Sequence, residues 1–550
     1  MSEQLSTEQV LLLNNLMYMT DNKPLQQVVG LEGMTVEQLV SNITKNAETN
    51  QFDSNKDYGS YMTGDDWQNI INTIKQDDQL LSMKIVDTHV DKGANGGGGA
   101  SAVFVDPATN EAVVTFRGTA SQEWKDNFTG GGKTDATDGV STFQQENALE
   151  WYQSLDLDQY SSVTVTGHSK GGNKAKYITI MDDSVDRCVS FDGQGFSDEF
   201  IDKYSHQIAM NQDKISNHNV ESDYVNLLLN DVGNTTFYKG YDYGEGGFLE
   251  NHCPNTFFDF KADGTVQMTV GTRDERMADV DEFLNNYLRT LSPEDKQKTL
   301  LMIGELVEAG FNGADINEVF DILLTDNNVE YVAHLAAYLL EYKKEHPELV
   351  DHIKEILDGM GMDNISKIVD TVDGITDWKY FDKIMDGLGW LSGHIPGFVY
   401  DLLRDYLEKQ GISLSEEDLK KLLSMLQTMA DDMEQIEIAH NGADIVIPAK
   451  PNETQPTEGQ PWAFTVQTEK LVTVTSELEK SYNELIDYVA AIKSVCSHLN
   501  GDFFGIKRSL DLVGKNVLQQ ATEYKYMKEA LEKISTYYQV SEEKIVKGGT

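Results

Sequence analysis

Between Val163 and Ile178 the chain reads VTVTGHSKGGNKAKYI: alternating β-branched positions, a serine between glycines, then small residues suited to a helix. Alternation predicts a strand, and its sudden loss predicts a turn into a helix. The same change of period recurs through the first half. Residues 6–85 carry mainly helical patterns. After the glycine-rich turn Gly93–Gly99, ASAVFV and AVVTF read as strands about the turn DPATNE. FQQENALEWYQSL reads as a helix leading to VTVT, and RCVSFD and KISNHNV read as later strands. Strands alternating with helices predict an α/β domain with a mostly parallel sheet and helices on both faces. FFDFKADGTVQMTV, with Asp263-Gly264 at its centre, predicts a closing hairpin.

From about Asp274 the pattern is helical throughout. Ser292-Pro293-Glu294-Asp295 has the form of a helix start: a capping serine, proline in the first turn, then acids facing the dipole. Helical patterns continue to about Ile438. PAKPNETQPTEGQP, Pro448 to Pro461, is rich in proline and polar residues and reads as a linker. Beyond it, Leu471, Leu478, Leu485, Ile492 and Leu499 recur every seven residues, and Ile506, Leu510, Val513, Val517, Tyr524, Met527, Leu531, Ile534 and Tyr538 alternate steps of three and four, with Gln520 a polar gap. Two helices joined at NGDFFG, with a coiled-coil-like seam, are predicted. The expected organisation is an α/β domain over 1–272, a helical domain over 276–440, a linker over 441–461 and a helical hairpin over 462–550.

Charge and cysteine content narrow the function. The net charge of −47 argues against nucleic acid, because phosphate binding needs clustered Lys and Arg. Cys188, Cys253 and Cys496 show neither metal-ligand spacing nor a disulfide framework, so neither metal nor cofactor is expected and the chain should fold in a reducing compartment. The N-terminal stretch MSEQLSTEQVLLLNNLMYM carries acids where a signal peptide needs a basic region. No apolar run is long enough to span a bilayer. Export would therefore need a route without a cleaved signal.

A bare G-x-S-x-G is weak; its setting makes it specific. A nucleophile elbow is a sharp strand-to-helix turn that presents a serine at the sheet's C-terminal edge, and the glycines beside it avoid collisions with the neighbouring strand and helix. Ser169 sits there between Gly167 and Gly171, after the strand VTVT; the bland alternative is a serine capping a helix. Serine needs a histidine to take its proton and an acid to orient that histidine, in the order Ser, acid, His in this fold. His252, in LENHCPNTFF, is the expected base. His206 lies in a helical pattern, and His218 precedes the expected acid. Asp223, in NVESDYVNLL, is the expected acid; Asp192, in SFDGQG, is its rival, with Asp231 and Asp242 behind. Two backbone N–H groups should hold the oxyanion. Lys170, after the serine, supplies one, and Thr119, in VVTFRGTASQEW, the other. His168 either flanks the acyl site or only packs.

These motifs together carry a resemblance. Residues 1 to about 272 resemble class 3 lipases and, more closely, lipase-like bacterial α/β-hydrolases with a GHSKGGN elbow. The match runs through VVTFRGTAS with EWKDN, GHSKGGN, FDGQGF, ESDYVN and the His252 turn. It implies an α/β-hydrolase fold, a serine carboxylic-ester hydrolase of lipase or phospholipase A type, and Ser169, Asp223 and His252 as its triad. Lys170 stands where class 3 lipases usually carry leucine, and the segment after Asp223 lacks a proline common there.

The last ninety or so residues resemble the WXG-type helical hairpins that pass through type VII secretion. Phe503-Phe504-Gly505 stands at the turn, with phenylalanine in place of tryptophan, and Tyr538 to Glu542 gives Y-x-x-x-E. A lipase followed by such a hairpin resembles LXG toxins in reversed order. The resemblance implies a Gram-positive antibacterial lipase toxin, made in the cytoplasm, secreted through the type VII machinery, and acting on membrane lipid. It further implies small WXG-like helper proteins on the C-terminal helices and an immunity protein on the lipase domain. Two readings of other classes stay open: a cytoplasmic esterase whose tail oligomerises, and a non-catalytic hydrolase fold used as a binding module.

Overall fold

The computed structural model describes residues 4–91, 99–119, 124–130, 134, 136–227, 229–241, 249–261, 263–376 and 397–439, with scattered helical positions between 480 and 528. Met1–Asp444 and Ile445–Thr550 are separate compact units. Asp242, the linker, the NGDFFG turn and the secretion-motif residues Phe503, Gly505, Tyr538 and Glu542 lie outside the described residues.

The sheet of the first unit has seven strands: β1 (Lys84–Val90), β2 (Ala100–Asp106), β3 (Glu111–Phe116), β4 (Ser162–His168), β5 (Arg187–Phe191), β6 (Ile215–Val220) and β7 (Asn234–Tyr238). They lie side by side in chain order. β1, β2 and β3 are antiparallel, and β3 to β7 are parallel. β1 follows the stretch read as helical. Its alternation is blurred because it is a half-exposed edge strand, with a register shift between Ile85 and Asp87.

This strand order decides how the faces are covered. Parallel connections that step one strand at a time in one direction, each right-handed, put their helices on one face. The crossover helices α6 (Phe143–Ser154), α7 (Lys170–Met181), α8 (Asp198–Lys203) and α9 (Ser205–Asn211) follow that rule, with α7 packed against α6 and α9. The opposite face would then be bare. The N-terminal segment covers it, through α1 (Thr7–Leu16), α2 (Val36–Ala47), α3 (Gly64–Ile74) and α4 (Asp78–Ser82). Period-two alternation serves both cores. On β2, Ala102 and Phe104 face the N-terminal helices, whereas Val103 and Val105 join Trp151, Ala175 and Ile178 on the other side. α1 begins with a capping box in which Ser6 and Gln9 satisfy each other's backbone N–H groups. A two-stranded hairpin, β8 (Asp259–Phe260) and β9 (Val266–Gln267), follows, with Gly264 in the left-handed region at its turn. The chain has an α/β-hydrolase fold followed by helices.

Those helices are α10 (Glu275–Arg289), α11 (Pro293–Phe311), α12 (Ile316–Leu323), α13 (Val329–Tyr342), α14 (Leu349–Gly359), α15 (Asp363–Thr376), α16 (Gly397–Lys409) and α17 (Glu416–Ala439). α11 starts at the Ser292 cap with Pro293 in its first turn. The helices build two cores. One is internal, around Phe320, Ala337, Leu403 and Leu423. The other joins Met277, Phe283, Tyr287 and Leu339 to Phe128, Leu227 and Leu229 of the hydrolase part. The helical region is thus packed onto the hydrolase within one unit. Among the described residues no helix is long and apolar enough to cross a membrane.

Candidate active site

β4 runs into α7 through Ser169, whose backbone is at φ 60° and ψ −129°, a strained conformation for a side chain with a Cβ. Two glycines make the turn possible. A Cβ on Gly167 would lie 2.2 Å from the Gly171 carbonyl, and one on Gly171 would lie 2.0 Å from the Phe116 carbonyl oxygen of β3. The Ser169 N–H donates to the Phe191 carbonyl at 2.9 Å, so the elbow is tied to β5. The hydroxyl makes no side-chain cap on α7. Lys170 opens that helix, where a backbone N–H has no intrahelical acceptor, and it lines the cavity beside the elbow.

Asp223 and His252 meet beside this turn. His252 Nδ1 is 2.5 Å from Asp223 Oδ1. Asp223 is fully buried, and its other oxygen accepts the N–H groups of Val225 and Asn226, each at 3.0 Å. An acceptor held this way fixes the proton of His252 on Nδ1 and leaves Nε2 with a lone pair. His252 lies in a 3-10 turn over Leu249–His252, and its ring is packed between those of His168, at 4.7 Å, and Tyr224, at 5.4 Å. Ser169 and His252 both line one cavity of about 440 Å³, together with Tyr18, Thr119, Lys170 and Gln194.

Asp192 is placed otherwise. It follows β5 directly, with a positive φ of 43°, and accepts the Val220 N–H at 2.7 Å. Burial, and next the neighbouring Asp223 charge, hold its carboxyl well above the usual carboxylate range. Of the two acids, Asp223 is the one bonded to the His252 ring. Asp231 is paired with Lys176 at 2.6 Å. His218 lies on β6, bonded to the Tyr238 hydroxyl at 3.0 Å, and burial lowers it to about 4. His206 is on α9. His168, Asp192 and His252 bring ligand-type atoms within 4.8 Å of one another, but His252 Nδ1 is already bonded to Asp223.

Three further residues complete the site, and pattern reading did not find them. The Tyr18 hydroxyl, just beyond α1, accepts the Gly118 N–H at 3.1 Å and lies 2.6 Å from His168 Nδ1. Burial, and next the nearby His252, hold His168 well below its usual pKa, so the ring is neutral and shares one hydrogen with the Tyr18 hydroxyl through Nδ1. Tyr18 thereby links the loop after β3 to the elbow. Helix α5 (Trp124–Thr129) supplies the other two. Asp126 Oδ2 is 2.7 Å from Lys170 Nζ in a buried ion pair, and Asn127 Nδ2 donates to Thr119 Oγ1 at 2.9 Å. This explains the lysine beside the serine: its side chain crosses to α5. It also explains EWKDN, whose Asp and Asn hold the elbow and Thr119. Gln194 Nε2 donates to the Asn127 carbonyl, and Asn173 Nδ2 donates to the Gln194 and Gly195 carbonyls at 3.1 and 3.0 Å, so FDGQGF and GGN are clamped to the same helix.

Residues 85–303 match the family described as Mbeg1-like. No curated protein matches. Among solved structures, the chain is similar to the Lip2 lipase of Yarrowia lipolytica, with 12% identity over 48% of this chain and 83% of that one and a TM-score of 0.25. It is also similar to a lipase from Rhizopus microsporus var. chinensis, with 14% identity over 40% of this chain and 81% of that one and a TM-score of 0.22.

Proposed function

We propose that this chain is a serine carboxylic-ester hydrolase of lipase type. The observation that carries the reading is the 2.5 Å Asp223–His252 contact on the wall of the cavity that also holds the strained Ser169. Asp223 keeps the proton on His252 Nδ1, so Nε2 is free to take the Ser169 proton as Oγ attacks the acyl carbon. The N–H groups of Lys170 and Thr119 hold the oxyanion. Collapse breaks the bond to the alcohol, which leaves with the proton from His252 and an ester on Ser169. Water then attacks the acyl carbon and gives a proton to His252; collapse breaks the Ser169 Oγ–acyl bond, His252 returns that proton to Oγ, and the acid is freed. Among the described residues no hydrogen bond joins Ser169 to His252. Catalytic contacts often tighten only with substrate bound.

The reading extends to membrane phospholipid as substrate. Mixed bacterial phospholipids incubated with the protein and analysed by mass spectrometry should give lysophospholipid and free fatty acid, and Ser169→Ala should give neither. Unchanged lipids with the wild-type protein would remove this substrate class. The wider role, an antibacterial toxin exported by type VII secretion with helper and immunity proteins, rests on the heptads and the Phe503–Gly505 and Tyr538–Glu542 motifs of the tail.

A further inference from the structure

The helices after Asp274 line a second, partly open cavity of about 290 Å³. Its walls come from α10, α11, α13, α14 and α15, with Val280, Ile303, Val307, Leu339 and Ile353 among them. Tyr224 is the one polar side chain among the lining residues, which include no charged group. A space this size with apolar walls offers water almost no hydrogen bonds and suits hydrocarbon.

The chamber adjoins the active site. Phe128, Tyr224, Val225 and Phe311 line both it and the cavity that holds Ser169 and His252. Tyr224 and Val225 follow the acid Asp223, and Phe128 belongs to α5, the helix bonded to Thr119 and Lys170. α11 comes close at this junction: a Cβ on Gly304 would lie 2.7 Å from the Phe128 ring. An ester seated at Ser169 therefore has an apolar direction in which a long chain can continue, and that direction is built largely by helices outside the hydrolase part.

We propose that this chamber is the binding site for the fatty acyl chain of the substrate, and that the helical region sets the acyl length the enzyme accepts. The proposal rests on the ester-hydrolase reading. Burial of a methylene is worth about 0.8 kcal/mol, so kcat/KM should rise up to about fourfold per methylene that enters.

The test uses the full chain with p-nitrophenyl butyrate, octanoate, dodecanoate and palmitate. kcat/KM should climb with length and level off once the chamber is full. Val307→Phe on α11 and Ile353→Phe on α14 each narrow the space. In each, the ratio of kcat/KM on dodecanoate to that on butyrate should fall about fifteenfold, as if roughly two methylenes were displaced. This ratio, taken within one variant, is insensitive to a general loss of folded enzyme. A second measurement needs no turnover. Ser169→Ala should bind the fluorescent fatty acid cis-parinaric acid, and saturated fatty acids should displace it more tightly as they lengthen. Butyrate hydrolysis with flat length profiles in every variant would overturn the chamber and keep the hydrolase. Length-dependent displacement with no ester cleaved would keep the chamber and overturn the hydrolase. An unchanged ratio in both narrowed variants would place the acyl chain elsewhere.

Discussion

Replacing Asp223 by Asn should nearly silence the enzyme, and the structure says why. One oxygen of Asp223 accepts the Val225 and Asn226 N–H groups, each at 3.0 Å. In the Asp223→Asn variant the amide oxygen must stay with those donors. That turns the NH2 group toward His252 Nδ1, which in the native protein lies 2.5 Å from a carboxylate oxygen. A donor facing Nδ1 drives the histidine proton to Nε2, where it blocks uptake of the serine proton. In the serine-protease triad the same wrong tautomer costs about 10⁴ in kcat, equivalent to about 5 kcal/mol. Asp192→Asn should keep kcat within about tenfold, because burial already favours the neutral form of that carboxyl and an amide resembles it. Its stability should move the other way. A raised folded-state pKa stabilises the fold below the unfolded value of 3.8, and that contribution is lost as pH rises through the folded value. Asp192→Asn should therefore raise Tm at neutral pH, with the gain shrinking as pH falls toward 4. The assay is kcat on p-nitrophenyl butyrate, with circular dichroism to confirm folding. A dead Asp192→Asn beside an active Asp223→Asn would refute the assignment of the acid.

Other outcomes follow from the contacts around the elbow. Lys170→Met leaves Asp126 buried without its cation and should cost about 3–5 kcal/mol in denaturant unfolding, whereas Lys170→Leu combined with Asp126→Leu should recover most of it; equal stability of both variants would deny the ion pair a structural role. Tyr18→Phe removes the acceptor for Gly118 N–H and should lower kcat on a short ester by about tenfold with KM little changed, less than the 10²–10³ expected for loss of a direct oxyanion donor; a purely KM effect would place Tyr18 in substrate binding instead. Removal of residues 462–550 should abolish export, read by immunoblotting of culture supernatant, and leave ester hydrolysis in place, since every proposed catalytic group precedes Leu291; normal secretion would overturn the type VII reading.

What the sequence disclosed depends on how local the cause was. Val163–Gly172 displayed the elbow because the strand, the serine and the glycines are neighbours, and steric exclusion at Gly167 and Gly171 acts within a few residues. The Asp263-Gly264 hairpin and the Ser292 cap were legible for the same reason. β1 was missed because an edge strand carrying Lys84, Asp87 and His89 does not alternate cleanly. Tyr18 left no signal, since its partners Gly118 and His168 are 100 and 150 residues away. Lys170 showed only as an oddity until Asp126 supplied the charge that makes a buried lysine tolerable. The helices after Asp274 were evident from their period, but a helical period says which face is apolar and not whether the faces close on one another. The chamber between them emerges only from the packing.

The most direct measurement is covalent labelling of the nucleophile. A fluorophosphonate is attacked by an activated serine at phosphorus, with loss of fluoride, and leaves a stable adduct. Intact-protein mass spectrometry should show one adduct, peptide mapping should place it on Ser169, and Ser169→Ala and Asp223→Asn should be labelled far more slowly. A wild-type protein that resists the probe, or one that carries the adduct elsewhere while Ser169→Ala still cleaves esters, would contradict the account.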